Sequence, residues 1–334
     1  MTRAADPLAD GARAGWLDAA RGVGIVLVVL GHALRGLEVS RVPLDPGLFA
    51  AVDSMIYLFH MPLFFVLAGM TFPASAAKAT VGGFARSRLV RLLLPMAVWT
   101  YLFLGLRVLA GPAANTAAGV GDLLRWPLPP YEHLWFLWAL FLIQAVAFAG
   151  FAVHRLVGWA MLAVMAAAGP AAMALHLVPQ GLVKLFEPTL SHAPFFAAGA
   201  ALGLPLLAGR WRPWIGWAGL AVFALCLLDA GLEPRAEEER AHFLLALAAA
   251  VGLLLAIRGS ALGRSRWAAS LGRASLFIYL AHTVFSSATR IALLRAGIED
   301  PALHVALGVA AGIAGPLLLA PLLRRTRLGP ALGA

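Results

Sequence analysis

The chain is poor in charge. Only 13% of its 334 residues are Asp, Glu, Lys or Arg, and 61% are hydrophobic. A soluble globular domain carries about 25% charged and about 45–50% apolar residues. The shortfall excludes an ordinary soluble enzyme, a disordered chain and a fibrous one. Cysteine is almost missing: Cys226 stands alone inside an apolar stretch. No disulfide can form within the chain, and no zinc-type spacing exists, so no metal site is expected. Lysine is scarce too, with 2 residues against 24 arginines, which reads as codon bias. P-loop, GxGxxG, HExxH and GxSxG motifs are absent, which removes most nucleotide hydrolases, dinucleotide enzymes, zincins and elbow-type serine hydrolases. Ten-residue alternating segments are lacking as well, which argues against a transmembrane barrel.

What is there is a series of long apolar runs, with a mean hydropathy of +0.85. Their lengths suit membrane helices of about 20 residues. The expected fold is all-α, a polytopic transmembrane helical bundle with about ten spans. The candidate spans are 16–36, 48–70, 89–110, 133–153, 156–178, 190–208, 214–231, 241–258, 275–295 and 302–323. Between them lie breakers such as Pro43-Leu44-Asp45-Pro46, Trp126-Pro127-Leu128-Pro129-Pro130 and the acidic run Glu237-Glu238-Glu239. The formal net charge is +10. Its basic residues are spread between apolar runs, so they read as a topology signal, and no nucleic-acid partner is expected. With the N-terminus in the cytosol, 16 Lys and Arg fall on the cytosolic side and 8, Arg35 among them, on the other; Arg21 and Arg290 fall within spans. This bias predicts both termini in the cytosol. It divides the chain into an N-terminal tail (1–15), a transmembrane domain (16–323) and a C-terminal tail (324–334). Asp18 and Arg21 interrupt the first run, so it is not expected to be a signal peptide. The small-residue spacings Gly199–Gly203 and Gly308–Gly312 are expected to serve packing within the chain.

Ionisable residues inside a span cost about 2.5–3.5 kcal/mol each on insertion scales, so each needs a partner or a task. Span 1 carries Asp18, Arg21 and His32. Arg21 and His32 are eleven residues apart, within about 20° of three full turns and about 16 Å along the axis, so they share a face. Asp18 lies one turn before Arg21 and can pair with it. His32 is the candidate catalytic group, a single imidazole in the membrane. Span 2 places Asp53, Tyr57 and His60 on one face, with Pro62 positioned to bend the helix. These residues can line a cavity, or Asp53 and Tyr57 can satisfy each other. Span 9 aligns Tyr279, His282, Ser286 and Arg290, the last near enough to one end to snorkel. His154, His176, His242 and His304 lie at or near span ends and are expected at the surface; His133, with an aromatic anchor nearby, and His192 could each line an outer vestibule. Arg86, Arg88 and Arg91 precede span 3 on the cytosolic side. They suit a phosphate ligand, a lipid headgroup or the topology bias itself.

Five blocks give these residues a common context. They are Leu17-Asp18-Ala19-Ala20-Arg21-Gly22 through Gly31-His32; Phe59-His60-Met61-Pro62-Leu63-Phe64-Phe65; Arg86-Ser87-Arg88; His133-Leu134-Trp135-Phe136-Leu137; and Ser275-Leu276-Phe277-Ile278-Tyr279-Leu280-Ala281-His282. In this order they resemble the acyltransferase-3 family of integral membrane acyltransferases, most of all its fucose 4-O-acetylase-like branch. Ala68-Gly69 departs from the family's more usual Ser-Gly, and 140–270 carries no comparable signature. The resemblance implies a membrane-embedded O-acyltransferase in a bacterial plasma membrane. It implies transfer of an acyl group, usually acetyl, from acyl-CoA to a hydroxyl of a glycan or other envelope acceptor. It also implies His32, Arg21 and Asp18 as catalytic residues, and Arg86, Arg88 and Arg91 as ligands of the donor's phosphates. Asp53, Tyr57, His60, His133, Trp135, Tyr279 and His282 would form the substrate cavity. Acetyl-CoA would be a substrate, with no tightly bound cofactor. The other expected partners are the bilayer and a second copy of the chain. A proton-coupled transporter or flippase would use the same intramembrane charges, but it leaves the arginine cluster without a task.

Overall fold

The computed structural model describes residues 11–40, 42–111, 119–124, 127–208, 212–234 and 243–334. Residues 1–10, the acidic run 237–239, His242 and Trp126 lie outside them. The described residues are all-α, without a strand. In chain order the helices are α1 (Gly11–Val39), α2 (Pro46–Ala76), α3 (Val81–Arg88), α4 (Leu94–Ala110), α5 (Trp135–Val153), α6 (Arg155–Ala174) and α7 (Gln180–Ala208). After them come α8 (Pro213–Leu232), α9 (Phe243–Gly259), α10 (Arg266–Arg273), α11 (Ser275–Arg295), α12 (Pro301–Arg324) and α13 (Gly329–Leu332). A π-helical turn, Leu89–Leu93, joins α3 to α4. Among the described residues, eight helical segments are long and apolar enough to cross a membrane, and α9 is a shorter apolar helix. The protein is therefore a polytopic helical bundle. Its boundaries differ from the expected spans chiefly at α7, which begins at Gln180 instead of 190, and at α2, which runs on to Ala76 instead of 70.

The helix starts follow from the breakers. Asp45 lies just before Pro46, and its carboxylate accepts the Leu48 N–H at 2.6 Å. Asp300 does the same for Leu303 at 2.6 Å. Thr80 accepts from Gly83 and Ser265 from Ala268, each at 3.2 Å. Exposed His154 uses its Nδ1 to accept the Leu156 N–H at 3.2 Å, starting α6. Each cap satisfies a backbone donor that a helix leaves open.

The chain divides into two compact units. Unit 1 is Met1–Leu67 with Leu202–Leu319, and unit 2 is Ala68–Ala201 with Ala320–Ala334. In unit 1, α1 packs on α9, α10 and α11, and α8 pairs with α9. Ile25, Val29, Phe59, Leu63, Ile278, Leu280 and Leu254 are buried there. Two crossings are backbone on backbone. A Cβ on Gly22 would strike the Ala268 carbonyl of α10, and one on Gly272 would strike the Asp18 carbonyl of α1. Gly312 of the Gly308–Gly312 spacing lets α12 lie against Ser286, Val29 and His282, as packing small residues should. Trp214, Trp217, Leu225, Leu228 and Leu232 of α8 are exposed while Cys226 is buried, an apolar outer face suited to lipid.

In unit 2, α5 pairs with α6, and Gly69 lets α2 meet the Phe196 carbonyl of α7. Phe72 packs edge-on to Phe84, Phe151 and Phe196. The Trp99 Nε1–H of α4 donates to the Leu332 carbonyl of α13 at 3.1 Å.

The glycine crossings give a direct prediction. Gly272→Leu must push α10 off α1, so the full-length protein should lose most of its membrane accumulation, or unfold several degrees lower in detergent. Gly105→Leu, at a position where an added Cβ would meet no atom within 4 Å, should leave both measurements unchanged.

Candidate functional site

The polar stripes of unit 1 meet around the C-terminal third of α1. The ring of His32, half-buried, lies 5.1 Å from that of His282 on α11, tilted by 52°. His282 is fully buried. Its Nδ1 is 2.8 Å from the Tyr279 carbonyl and 3.0 Å from that of Ile278. Carbonyl oxygens only accept, so Nδ1 carries the hydrogen and Nε2 the lone pair. Helix geometry thus sets the tautomer of the ring that faces His32. The four residues aligned on α11, Tyr279, His282, Ser286 and Arg290, are all buried. Ser286 donates to the Gly308 carbonyl of α12 at 2.8 Å.

On the α2 side, Asp53 does not rely on Tyr57. Arg35 of α1 takes it in a two-point grip: Nε donates to Oδ1 at 2.7 Å and Nη2 to Oδ2 at 3.1 Å. The same guanidinium lies 3.2 Å from the centroid of the Tyr57 ring. Tyr57 meets His60 edge-to-face at 4.5 Å. His60 is buried and donates its Nδ1–H to the Ile56 carbonyl at 2.8 Å. Asp18 and Arg21 pair at 2.7 Å. Eleven residues of helix put Arg21 about 16 Å from His32 along the axis, so Asp18 serves Arg21 and does not touch the imidazole.

Three expectations are corrected here. Arg35, counted with the basic residues of the far side, is held within the helix: α1 continues to Val39, and the buried carboxylate of Asp53 grips it. Arg290 does not snorkel. It is buried, and its guanidinium lies where a Cβ on Gly36 would be. His304 is not at the surface. It is 3% exposed, because its Nε2 donates to the Ile298 carbonyl at 2.8 Å and closes the α11–α12 connection. His154 and His176 are exposed as expected. Arg35 left one legible sign, its place three residues after His32 on the same helical face. The partnership with Asp53 spans two helices and has no local signature.

Unit 2 holds the other predicted residues. Arg86 and Arg91 are exposed. Arg88 is half-buried and lies 4.9 Å over the ring of Phe84, and Phe84 stacks on Phe148 at 3.9 Å and 4°. The Arg88 Nε is buried without a hydrogen-bond partner among the described residues. The π-helical turn begins one residue later, a local rewinding that recurs at functional sites. His133, 8% exposed, sits 5.3 Å from Phe103, and half-buried Trp135 sits 4.9 Å from His192. Arg107 pairs with Glu132 at 2.8 Å beside them.

Unit 1 thus brings two imidazoles together near an ion pair that joins two apolar helices. The acyltransferase domain family (acyltransferase-3) matches residues 14–321, and the chain belongs to that family of membrane acyltransferases. It is 29% identical over 225 residues to the nodulation protein NolL of Sinorhizobium fredii, covering 66% of this chain and 58% of that one. It is 26% identical over 211 residues to the NolL protein of Mesorhizobium japonicum, covering 63% and 52%. The chain thus spans little more than half the length of these curated relatives. No solved structure matches it.

The connection closed by His304 is testable on its own. His304→Ala should destabilise the protein by about 1–3 kcal/mol, because the Ile298 carbonyl is left unmet. A lowered thermal midpoint in detergent, restored in part by His304→Gln, is the expected result.

Proposed function

We propose that the protein is an O-acyltransferase that moves an acyl group, in the first instance acetyl, from acyl-CoA to a hydroxyl of a glycan or glycosylated acceptor in a bacterial envelope. The observation that carries the reading is the His32–His282 ring contact inside unit 1 of a chain that belongs to an acyltransferase family. Resemblance to the fucose 4-O-acetylase-like branch supports acetyl as the group and a sugar hydroxyl as its destination. The transporter alternative accounts for neither the family nor the arginine cluster. The apolar helices support residence in a membrane, which we read as the plasma membrane, and the arginine bias favours ten spans with cytosolic termini.

In the direct route His32 takes the proton from the acceptor hydroxyl, and the freed oxygen attacks the thioester carbonyl. The carbon–sulfur bond breaks, and the CoA sulfur leaves with the proton returned by His32. In the two-step route the imidazole attacks the thioester first, the carbon–sulfur bond breaks and CoA leaves as the thiol with the ring's proton; the acceptor hydroxyl then displaces the acyl group and returns its proton to the imidazole. A mass shift on the His32 peptide in acid-quenched protein separates the second route from the first. Arg21, held by Asp18, guides the phosphate-bearing arm of the donor. Tyr57, His60, Tyr279 and His282 wall the reaction centre. Arg86, Arg88 and Arg91 bind phosphates of the donor. The supporting feature for the arginines is Arg88, whose buried Nε–H calls for an acceptor that an anionic oxygen would supply.

Two measurements test this reading. His32→Ala should accumulate normally in membranes and lose acyl transfer by at least about a hundredfold; full activity in that variant rejects the role of His32. Arg88→Lys should raise the apparent KM for acetyl-CoA at least about tenfold and leave that of the acceptor unchanged, because a planar fork is replaced by a point charge. Arg86→Lys, at an exposed position, should cost less. Equal, small effects of both would return the cluster to a topology role.

A further inference from the structure

The His32 turn of α1 is held from two sides. On one, α2 meets it through three contacts on a single pair of residues. Arg35 grips Asp53 at 2.7 and 3.1 Å. The Arg35 guanidinium lies 3.2 Å from the Tyr57 centroid. The α1 backbone itself rests on the same ring, since a Cβ on Gly31 would be 3.0 Å from Tyr57 Cε2. On the other side, α11 brings His282 to His32 and Arg290 to Gly36. Gly31, His32, Arg35 and Gly36 are therefore each met by a neighbouring helix, and they lie within six residues.

This differs from a generic helix staple. The Asp18–Arg21 pair lies within one helix and sets no register between helices. The Arg35–Asp53 pair joins two helices, and a two-point fork tolerates neither a slide nor a roll of one helix against the other. A roll of α1 by one residue, about 100°, would break the fork, the ring contact and the Gly31 approach together. Asp53 is 5% exposed, so leaving its charge without the fork is costly. The same roll would carry His32, three residues from Arg35, away from His282.

We propose that Arg35 is the positioning residue of the reaction centre: its fork on Asp53 and its face on Tyr57 fix the orientation in which His32 meets the acceptor hydroxyl. The proposal rests on the acyltransferase reading for its kinetic consequence but not for its structural one. Arg35 acts through His32 and α2, so it affects the rate of transfer and not the binding of the donor.

The test uses the full-length protein in detergent, with acetyl-CoA as donor and an envelope glycan extract as acceptor. Arg35→Lys keeps the charge and loses the fork. It should lower kcat at least about tenfold with the acetyl-CoA KM within about twofold. Arg35→Asp should lose more, and the exchange Arg35→Asp with Asp53→Arg should recover at least about tenfold over Arg35→Asp alone. Arg107→Lys, a partly exposed ion-paired arginine outside this site, should behave as the wild type. In parallel, the ring 15N signals of labelled histidines report the tautomer of His32, assigned by its loss in His32→Ala. They should change in Arg35→Lys and stay constant in Arg107→Lys. An unchanged kcat in folded Arg35→Lys, no recovery in the exchange, or an unaltered His32 signal overturns the proposal. If the wild type consumes no acetyl-CoA, the acyltransferase reading fails, and the His32 signal alone decides whether Arg35 positions that ring.

Discussion

Charged side chains on helices that are otherwise apolar must meet each other, because removing an ion from water without a partner costs more than such a helix can recover from packing. In unit 1 that constraint is met by the grip of Arg35 on Asp53. Arg35 also covers the face of Tyr57, which in turn meets His60. One ion pair thereby orders a tyrosine and a buried histidine on α2 and the last third of α1. His32 lies within that ordered stretch, so the candidate centre is a consequence of how the charges were buried.

The histidines follow a second rule. Inside a helix, a ring nitrogen can reach the carbonyl one turn back, and His60 and His282 both do so through Nδ1. The carbonyl settles where the hydrogen sits. The helix thus provides a fixed tautomer without a carboxylate, and the Nε2 lone pair is presented on a known side.

Unit 2 is organised by stacking. Phe84 and Phe148 lie flat on one another, and Arg88 lies over Phe84. The guanidinium is thereby drawn partly out of water while Arg86 and Arg91 stay exposed. The π-helical turn that follows changes the angle at which the next residues leave the helix. Three arginines that look equivalent along the chain thus have different environments.

Much was legible in the sequence because hydropathy and helical period are local. Composition alone implied a membrane bundle, the Pro43-Leu44-Asp45-Pro46 breaker marked a helix start that Asp45 does cap, and the period of 3.6 put Tyr279, His282, Ser286 and Arg290 on one face. The Asp18–Arg21 pair was readable for the same reason, one turn separating its members. Tertiary structure alone decided which helix each stripe faces. It gave Asp53 to Arg35 instead of Tyr57, set His282 against His32, buried Arg290 against Gly36, and drew His304 in from an expected surface position. Those choices depend on the meeting of residues far apart in the chain, where a spacing of eighteen or two hundred and fifty residues has no period to betray it. The sequence determined which faces are polar; only packing, which must satisfy every buried charge at once, determined with what.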